Sequence, residues 1–329
     1  MSSPTSPIIV LDSGLGGLTV VRALRQVLPF EDILYFGDTA RVPYGPKSAN
    51  TVTTFVREIL AYLQPYDPKH VVFACNTATA LALQTIRAQF PTLSISGVID
   101  PGARAAVDAA AQHPRPLIGV IGTEATVRSG AYVRAILRLR QFAQVICHPT
   151  PLLVPIIEEG RSHQDPVVRL ALQQYLLPLV SQHIDVLVLG CTHYPILKNL
   201  ITEIVGPRVA VIDSADKCAQ DVLRRLHSAK LQRDSRPITA SLRCFVTDDP
   251  PRFASLASRF LGLRVDNPTL VSLDDLHSAA ASTPNPAQSH LPCLGFVVRP
   301  SGRRIRPEVH PTNPNTIALP PNLPLRSAV

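Results

Sequence analysis

The chain has 329 residues, 46% of them hydrophobic and 17% charged, a composition that excludes a disordered protein and leaves room for two domains. Its net charge of +8 comes mainly from arginines spread along the chain, and only 5% of the residues are aromatic. Because no basic stripe alternates with aromatic residues, the sequence argues against nucleic-acid binding.

The sequence also bears on the compartment in which the protein works. No apolar run approaches the roughly 18–20 residues needed to span a bilayer, so we expect no membrane association. Residues 1–7 lack a basic segment followed by an apolar one, which favours a cytoplasmic protein. The six cysteines are scattered singly, so we expect no disulfide framework.

Short apolar runs alternate with longer amphipathic stretches from residue 8 to about residue 265. The first run, Ile8 to Leu11, predicts a strand, and Gly16 to Leu28 predicts the helix that follows it. Further strands are predicted at residues 33–36, 70–74, 117–121, 145–146, 186–189, 209–212 and 241–246. This alternation is typical of βα units that build a mostly parallel sheet.

A weak internal repeat relates the two halves of this region. The run that ends at Ser13 resembles residues 117–123, and the run that ends in Cys75-Asn76-Thr77 resembles the run that ends in Cys191-Thr192-His193. We therefore predict an α/β fold of two pseudo-symmetric, doubly wound, mostly parallel-sheet domains with the active site between them. Chance similarity between apolar strands is the alternative explanation of the repeat.

The predicted first domain comprises residues 1–99 together with 210–266, and the predicted second domain comprises residues 100–209. From residue 267 onward prolines accumulate and no helical or strand period is sustained. Because proline removes backbone donors, we expect residues 267–329 to form a mostly disordered tail. Within the tail, residues 294–298 are a candidate strand or docking segment.

A glycine-rich turn follows the first predicted strand, in the order Asp12-Ser13-Gly14-Leu15-Gly16-Gly17. Glycines at a strand-to-helix turn let a ligand approach the backbone closely. A dinucleotide-binding loop is the main competing interpretation, but it requires a G-x-G-x-x-G spacing that these glycines lack. Asp12 would also place a negative charge beside a phosphate. An acid and a hydroxyl together better suit the ammonium group and backbone of an amino acid.

Two cysteines, Cys75 and Cys191, each follow a predicted buried strand and precede small polar residues. Their sulfur atoms are therefore expected at the carboxyl ends of the sheets, where open α/β folds bind ligands. A free cysteine is commonly a small core residue, and we give that role to the other four, Cys147, Cys218, Cys244 and Cys293. A zinc site formed with His193 lacks the usual ligand spacing, and a Cys-His protease would leave one cysteine unexplained.

Six motifs in a fixed order resemble those of glutamate racemases, and together they cover about residues 8–265. The motifs are Asp12-Ser13-Gly14-x-Gly16-Gly17, Gly37-Asp38-Thr39-Ala40-Arg41-Val42-Pro43-Tyr44-Gly45, Ala74-Cys75-Asn76-Thr77-Ala78-Thr79, Gly122-Thr123-x-x-Thr126-Val127-x-Ser129-x-x-Tyr132, Val154-Pro155-Ile156-Ile157-Glu158-Glu159-Gly160 and Gly190-Cys191-Thr192-His193-Tyr194-Pro195. Two features depart from the family pattern: Asp100 stands in a segment where the family has Val-Ile-Glu-Pro, and the proline-rich tail has no counterpart.

The resemblance implies interconversion of L- and D-glutamate, which supplies D-glutamate for peptidoglycan synthesis, in an enzyme that is a homodimer by default. It implies Cys75 and Cys191 as the acid/base residues, assisted by His193 and by a glutamate, for which we favour Glu158 over Glu159. Asp12 is either a proton relay or the anchor of the substrate ammonium. The substrate-binding residues that the resemblance implies are Asp12, Ser13, Tyr44, Gly45, Asn76, Thr77, Thr123, Thr192 and His193.

The chemistry of stereoinversion accounts for a pair of thiols. A proton must leave one face of the α-carbon and another must arrive on the opposite face, so two bases are needed. A thiol has an ordinary pKa of about 8.5, which a site can adjust toward the working pH. Two matched cysteines make a cofactor unnecessary, and we expect neither a cofactor nor a metal.

Two alternatives stay open at this stage. A related racemase acting on aspartate or a hydantoin differs little in sequence, because one methylene changes binding by only about 1–3 kcal/mol. A binding or regulatory protein that uses the basic surface or the arginine-containing tail is the alternative from a different functional class.

Overall fold

The protein is described here by a computed structural model that covers residues 3–233 and 240–282. The part of the predicted tail beyond residue 282, with its candidate strand at residues 294–298, lies outside the described residues.

Strands and helices alternate along the described chain, as the sequence predicts. The first part contains β1 (Ile8–Asp12), α1 (Leu18–Val27), β2 (Ile33–Gly37), α2 (Ala49–Leu63), β3 (His70–Phe73), α3 (Asn76–Leu81), α4 (Leu83–Gln89), β4 (Ile95–Gly97) and α5 (Ile99–Ala109). The middle part contains β5 (Leu117–Gly122), α6 (Glu124–Arg128), α7 (Ala131–Leu139), β6 (Gln144–Pro149), α8 (Leu153–Glu158), α9 (Pro166–Val180), β7 (Val186–Gly190), α10 (Lys198–Val205) and β8 (Ala210–Ile212). The last part contains α11 (Ala215–Ser228), β9 (Leu242–Val246), α12 (Pro250–Leu261), β10 (Thr269–Leu270) and α13 (Leu273–Ser282).

Within residues 3–233 and 240–282 the strands form two sheets in which every pairing is parallel. One sheet has six strands in the order β10-β9-β2-β1-β3-β4, and the other has four in the order β6-β5-β7-β8. Helices cover both faces of the central strands, so β1, β2, β3 and β7 are buried along their whole length. This explains their unbroken apolar sequences, since a strand of a parallel sheet faces a core on each side.

The two sheets share one strand order. In the first sheet β1 lies between β2 and β3, with β4 beyond β3, and in the second β5 lies between β6 and β7, with β8 beyond β7. The weak sequence repeat relates the same strands, β1 with β5 and β3 with β7. Cys75, after β3, and Cys191, after β7, therefore occupy equivalent positions at the carboxyl ends of the two sheets.

The observed structure differs from the predicted bounds at two places. β8 pairs with β7, so residues 210–212 lie in the second sheet, and the predicted return to the first half at residue 210 is too early. The chain rejoins the first core at α11, where Ala215 and Cys218 pack with the residues of α1. The sequence suggested the earlier boundary because β8 is only three residues long and only partly buried.

The second difference concerns the start of the tail, which was predicted at residue 267. Residues 269–270 form β10, which pairs with β9, and residues 273–282 form α13. Val271 and Leu276 are buried in the same core as the α2 residues Val52 and Val56. The prediction of disorder from residue 267 is therefore wrong for residues 267–282, because a few apolar residues anchor this segment although its composition is polar.

Candidate active site

The carboxyl ends of four strands meet around one small cavity. Asp12 and Ser13 come at the end of β1, Cys75 follows β3, Thr123 follows β5 and Cys191 follows β7. The cavity is lined by Ser13, Pro43, Tyr44, Gly45, Cys75, Asn76, Thr77, Thr123, Val154, Cys191, Thr192 and His193. The structure thus brings residues from both sheets to one site, as open parallel sheets do at their carboxyl ends.

Cys75 caps the first turn of α3. Its sulfur accepts a hydrogen bond from the amide of Ala78 at 3.5 Å, and its thiol donates to the Ser13 Oγ at 3.6 Å. The residue is 5% exposed. Burial raises the pKa of the Cys75 thiol to about 12, and the negative charge of Asp12 adds to this rise. Cys75 is therefore protonated in the unliganded protein.

Cys191 begins a chain of three polar side chains. Its sulfur lies 3.7 Å from the Nδ1 of His193, and the Nε2 of His193 lies 2.6 Å from the Oε1 of Glu158. The amide of Leu15 donates a further hydrogen bond to Glu158 Oε1 at 3.2 Å. These three side chains have the geometry of a base oriented by a carboxylate, with the Cys191 sulfur at the inner end of the series.

The pKa values of His193 and Glu158 show which of these groups carry charge. Burial lowers the pKa of the His193 imidazole, but its hydrogen bonds with Cys191 and Glu158 outweigh burial and hold that pKa well above its usual value. Burial raises the pKa of Glu158, but the hydrogen bond from His193 and its charge bring that pKa below its usual value. An imidazolium therefore lies beside the Cys191 sulfur, where it stabilises a negative charge on that atom.

The structure distinguishes between the two adjacent glutamates. Glu158 is the one that contacts His193, whereas the Glu159 carboxylate is 60% exposed and pairs with Arg161 at 2.8 Å. Glu158 is therefore the glutamate in contact with His193, and its assisting role stays a prediction.

For the activity that the resemblance implies, we expect Glu158→Gln to lower kcat/KM for glutamate by about 10²-fold, because His193 would lose the charge that keeps its imidazole protonated. The pKa of His193 should be lower in this variant than in the unmodified protein. The loss of activity should therefore grow as the pH rises through that lower pKa. Initial racemisation rates between pH 6 and 10, followed by chiral chromatography, measure both effects. Glu159→Gln is the matched control and should stay within twofold of the unmodified protein; equal losses in the two variants would contradict this role for Glu158.

Asp12 is held firmly at the end of β1. One carboxylate oxygen accepts from the amide of Gly14 at 3.0 Å, and the other accepts from the hydroxyl of Thr192 at 3.0 Å. Burial raises the pKa of Asp12, although the positive His193 and these hydrogen bonds act in the opposite direction. The hydrogen-bond partners of Cys75 are Ser13 and Ala78 rather than Asp12, so Asp12 influences that thiol through its charge.

Close packing around the glycine-rich turn requires its glycines. A Cβ on Gly16 would lie 2.5 Å from the Thr192 hydroxyl oxygen and 2.7 Å from the Nδ1 of His193, and a Cβ on Gly14 would lie 2.5 Å from Glu158. The glycines therefore let the turn of the first sheet pack against Thr192, His193 and Glu158 of the second half.

The segment after β2 supplies Tyr44 and Gly45. The Tyr44 hydroxyl donates to the buried carboxylate of Asp38, which also accepts from Arg41 at 2.7 Å and from Thr247 at 3.0 Å. The Gly45 carbonyl accepts from the amide of Ala125 at 3.3 Å, and a Cβ on Gly45 would lie 2.8 Å from the Thr123 Cβ. This segment therefore contacts the second sheet directly.

Three threonine hydroxyls form a cluster beside the cavity. Thr77 Oγ1 lies 2.8 Å from Thr123 Oγ1 and 3.3 Å from Thr126 Oγ1, and Thr123 donates to Thr126 at 3.0 Å. Thr123 also caps α6 by accepting from the amide of Thr126 at 3.2 Å. The cluster offers hydroxyl donors to an anionic ligand and joins the two halves of the site.

Every substrate-binding residue predicted from the sequence except Asp12 lines the cavity, and Asp12 bonds to the lining residue Thr192. No role was predicted for Pro43 and Val154, which also line the cavity, or for Asp38, which holds Tyr44. Asp38 had a recognisable signal, because it comes directly after β2, just as Asp12 comes at the end of β1. Val154 had no such signal in the sequence, because it is an ordinary apolar residue of α8.

Two further findings concern the described residues as a whole. Over residues 3–233 and 240–282, no group of three or more His, Cys, Asp and Glu side chains is placed to hold a metal ion. Within the same ranges no helix combines the length and apolar character needed to cross a membrane.

Comparison with known proteins assigns the chain to a family. Residues 16–222 match the family model of the Asp/Glu/hydantoin racemases. The chain belongs to this family. A glutamate racemase from Syntrophus aciditrophicus is 47% identical over 256 residues, which cover 78% of this chain and 93% of that protein.

Solved structures of this family agree with the sequence comparison. The crystal structure of a glutamate racemase isoform from Bacillus anthracis has a TM-score of 0.76 and 38% identity, and the match covers 82% of this chain and 98% of that one. A glutamate racemase from Francisella tularensis in complex with D-glutamate has a TM-score of 0.75 and 35% identity, with 82% of this chain and 99% of that one covered. These matches confirm the predicted glutamate racemase resemblance and the two-sheet α/β fold.

Proposed function

We propose that the protein interconverts L- and D-glutamate by moving protons between two thiols and the α-carbon, without a cofactor. The observation that carries this proposal is that Cys75 and Cys191, from two different sheets, line the same cavity. Their equivalent places in the two strand orders favour an arrangement on opposite sides of a bound molecule.

The reaction conserves its protons in two steps. A thiolate on one side removes the α-proton and becomes a thiol, leaving a carbanion at the α-carbon. The thiol on the other side then donates its proton to that carbon and becomes a thiolate. The product has the opposite configuration, and the two sulfurs have exchanged protonation states, so the reverse reaction starts from the form that the forward reaction leaves.

The charges around the two sulfurs favour one starting form. Cys75 is a thiol because burial and Asp12 oppose its ionisation, whereas Cys191 lies beside the cationic His193. Cys191 is then the base and Cys75 the acid in the first turnover. A substrate ammonium beside Asp12 would offset the carboxylate charge, which lowers the cost of forming a thiolate on Cys75 in the reverse direction.

The remaining residues hold the substrate. We assign the ammonium group to Asp12, whose carboxylate is buried and fixed by Gly14 and Thr192. We assign the two carboxylates to hydroxyl and amide donors of the cavity wall, chiefly Asn76, Thr77 and Thr123 together with the backbone at Gly45. Donors placed in a closed site also stabilise the charge that develops during proton removal.

We further propose that the enzyme works in the cytoplasm as a homodimer and supplies D-glutamate for peptidoglycan synthesis. The two halves, each with its own parallel sheet and helices, are proposed to form two domains around the cavity. The basic surface is assigned no role in nucleic-acid binding.

The function is tested with purified protein, L-glutamate and heavy water, with no cofactor added. We expect D-glutamate to appear and to carry deuterium at the α-carbon, because the incoming proton comes from a thiol that exchanges with solvent. Chiral chromatography with mass spectrometry measures both, and L-aspartate serves as the matched alternative substrate. Faster turnover of aspartate, or turnover only after a cofactor is added, would contradict the proposal.

A further inference from the structure

Tyr132 lies next to the site but has no role in the chemistry proposed above. It belongs to α7, on the second sheet, and is only 2% exposed. Its hydroxyl donates a hydrogen bond of 2.8 Å to the Oδ1 of Asn76, which begins α3 on the first sheet. Tyr132 therefore bonds across the two halves to a residue of the cavity wall.

Asn76 has one satisfied and one unsatisfied polar atom. Its side chain is buried, with 2% of the residue exposed, and its Oδ1 is occupied by Tyr132. The Nδ2 is buried without a hydrogen-bond partner in the described residues. A buried amide nitrogen that lacks a partner is destabilising, and a bound acceptor would remove that penalty.

The orientation of the Asn76 amide depends on the tyrosine. An amide can present either an acceptor oxygen or a donor nitrogen, and the neighbouring groups decide which one faces a ligand. With the oxygen held by the Tyr132 hydroxyl, the nitrogen is left for the cavity. A donor at this position suits a carboxylate, whereas the oxygen would repel it.

The position of the Tyr132 ring depends on the space that two glycines leave. A Cβ on Gly102 would lie 3.0 Å from the Tyr132 hydroxyl oxygen, and a Cβ on Gly190 would lie 3.1 Å from the ring. Gly102 is in α5 and Gly190 ends β7, just before Cys191. The absence of side chains at these two positions leaves the room that the ring occupies.

We propose that Tyr132 is a positioning residue for substrate binding, which holds the Asn76 amide so that its Nδ2 donates to a carboxylate of the substrate. This inference rests on the proposed function only in that the ligand is glutamate. Tyr132 acts on substrate binding only through Asn76 and takes no part in proton transfer. Its loss therefore weakens binding rather than the chemical step.

The test is a double-mutant cycle with Tyr132→Phe, Asn76→Ala and the combined variant. We expect Tyr132→Phe to raise KM for both glutamate enantiomers about tenfold, the equivalent of one hydrogen bond, with kcat within threefold of the unmodified protein. In the Asn76→Ala background the same change should alter KM less than twofold, because no amide remains to be oriented. Tyr175→Phe, which removes a hydroxyl outside the cavity wall, is the matched control and should leave KM unchanged.

A second variant keeps the test decisive if Tyr132→Phe does not fold. Gly102→Ala adds a methyl group against the Tyr132 hydroxyl, at a helical position where alanine is favoured, and should raise KM in the same direction. Thermal unfolding of each variant separates folding from binding. An unchanged KM in Tyr132→Phe, or a tenfold rise that persists without the Asn76 amide, would overturn the inference. Failure of the unmodified protein to racemise glutamate would instead refute the proposed function.

Discussion

Replacement of either Cys75 or Cys191 by alanine is expected to abolish racemisation in both directions, with kcat reduced by about 10⁴-fold. This is the upper end of what one positioned acid or base contributes. In the proposed mechanism each thiol is needed whichever enantiomer is supplied, because one sulfur removes the proton and the other returns it. Chiral chromatography of reactions started from L-glutamate and from D-glutamate measures the loss in each direction.

Two other cysteines provide matched controls for this prediction. Cys147 is half-buried in β6, and Cys244 is buried in β9 with 3% of its surface exposed. Neither lines the cavity. Cys147→Ala and Cys244→Ala should keep kcat within about twofold, while the second lowers the free energy of unfolding slightly through lost packing. Loss of activity in these controls as large as in the cavity variants would show that the effect is not specific to the two thiols.

Neutralising Asp12 is expected to have the second largest effect. Asp12→Asn should lower kcat/KM by about 10²–10³-fold, because the proposed contact between this buried charge and the substrate ammonium is worth several kcal/mol. If Asp12 is the ammonium anchor, the loss appears mainly as a higher KM. The account would be contradicted by a variant that binds and converts glutamate as well as the unmodified protein.

The same substitution has a predictable effect on the Cys75 thiol. The Asp12 carboxylate helps to raise the pKa of Cys75, so a neutral asparagine should lower that pKa below its value of about 12. The rate of alkylation by iodoacetamide as a function of pH reports this pKa when measured in a Cys191→Ala background. We expect faster alkylation at a given pH in the Asp12→Asn protein, and an unchanged or slower rate would show that the carboxylate does not act on the thiol.

The sequence was informative where periodicity and motif order agree. The buried strands β1, β2, β3 and β7 are continuous apolar runs, so their positions follow from hydrophobicity alone. Cys75 and Cys191 were identifiable because each follows such a strand, and parallel strands bring their carboxyl ends to one edge. The similarity of the two halves, visible as a weak repeat, corresponds to the shared strand order.

Other features depend on contacts that the sequence does not encode locally. β10 and α13 lie in a segment of tail-like composition and are stabilised by packing on β9 and α2. The contact of Glu158 with His193 joins residues far apart in the chain, so the choice between two adjacent glutamates required coordinates. The bond from Tyr132 to Asn76 likewise crosses from one sheet to the other and has no counterpart in local sequence patterns.

The most direct measurement of the two-thiol mechanism is α-hydrogen exchange in heavy water by the Cys75→Ala and Cys191→Ala proteins. Each variant retains one thiol on one side of the cavity, so it should exchange the α-hydrogen of a single glutamate enantiomer without inverting it. The two variants should select opposite enantiomers, which NMR of the α-proton in separate L- and D-glutamate reactions detects. Exchange of the same enantiomer by both variants, or inversion at near-normal rates by either, would contradict the assignment of one thiol to each face.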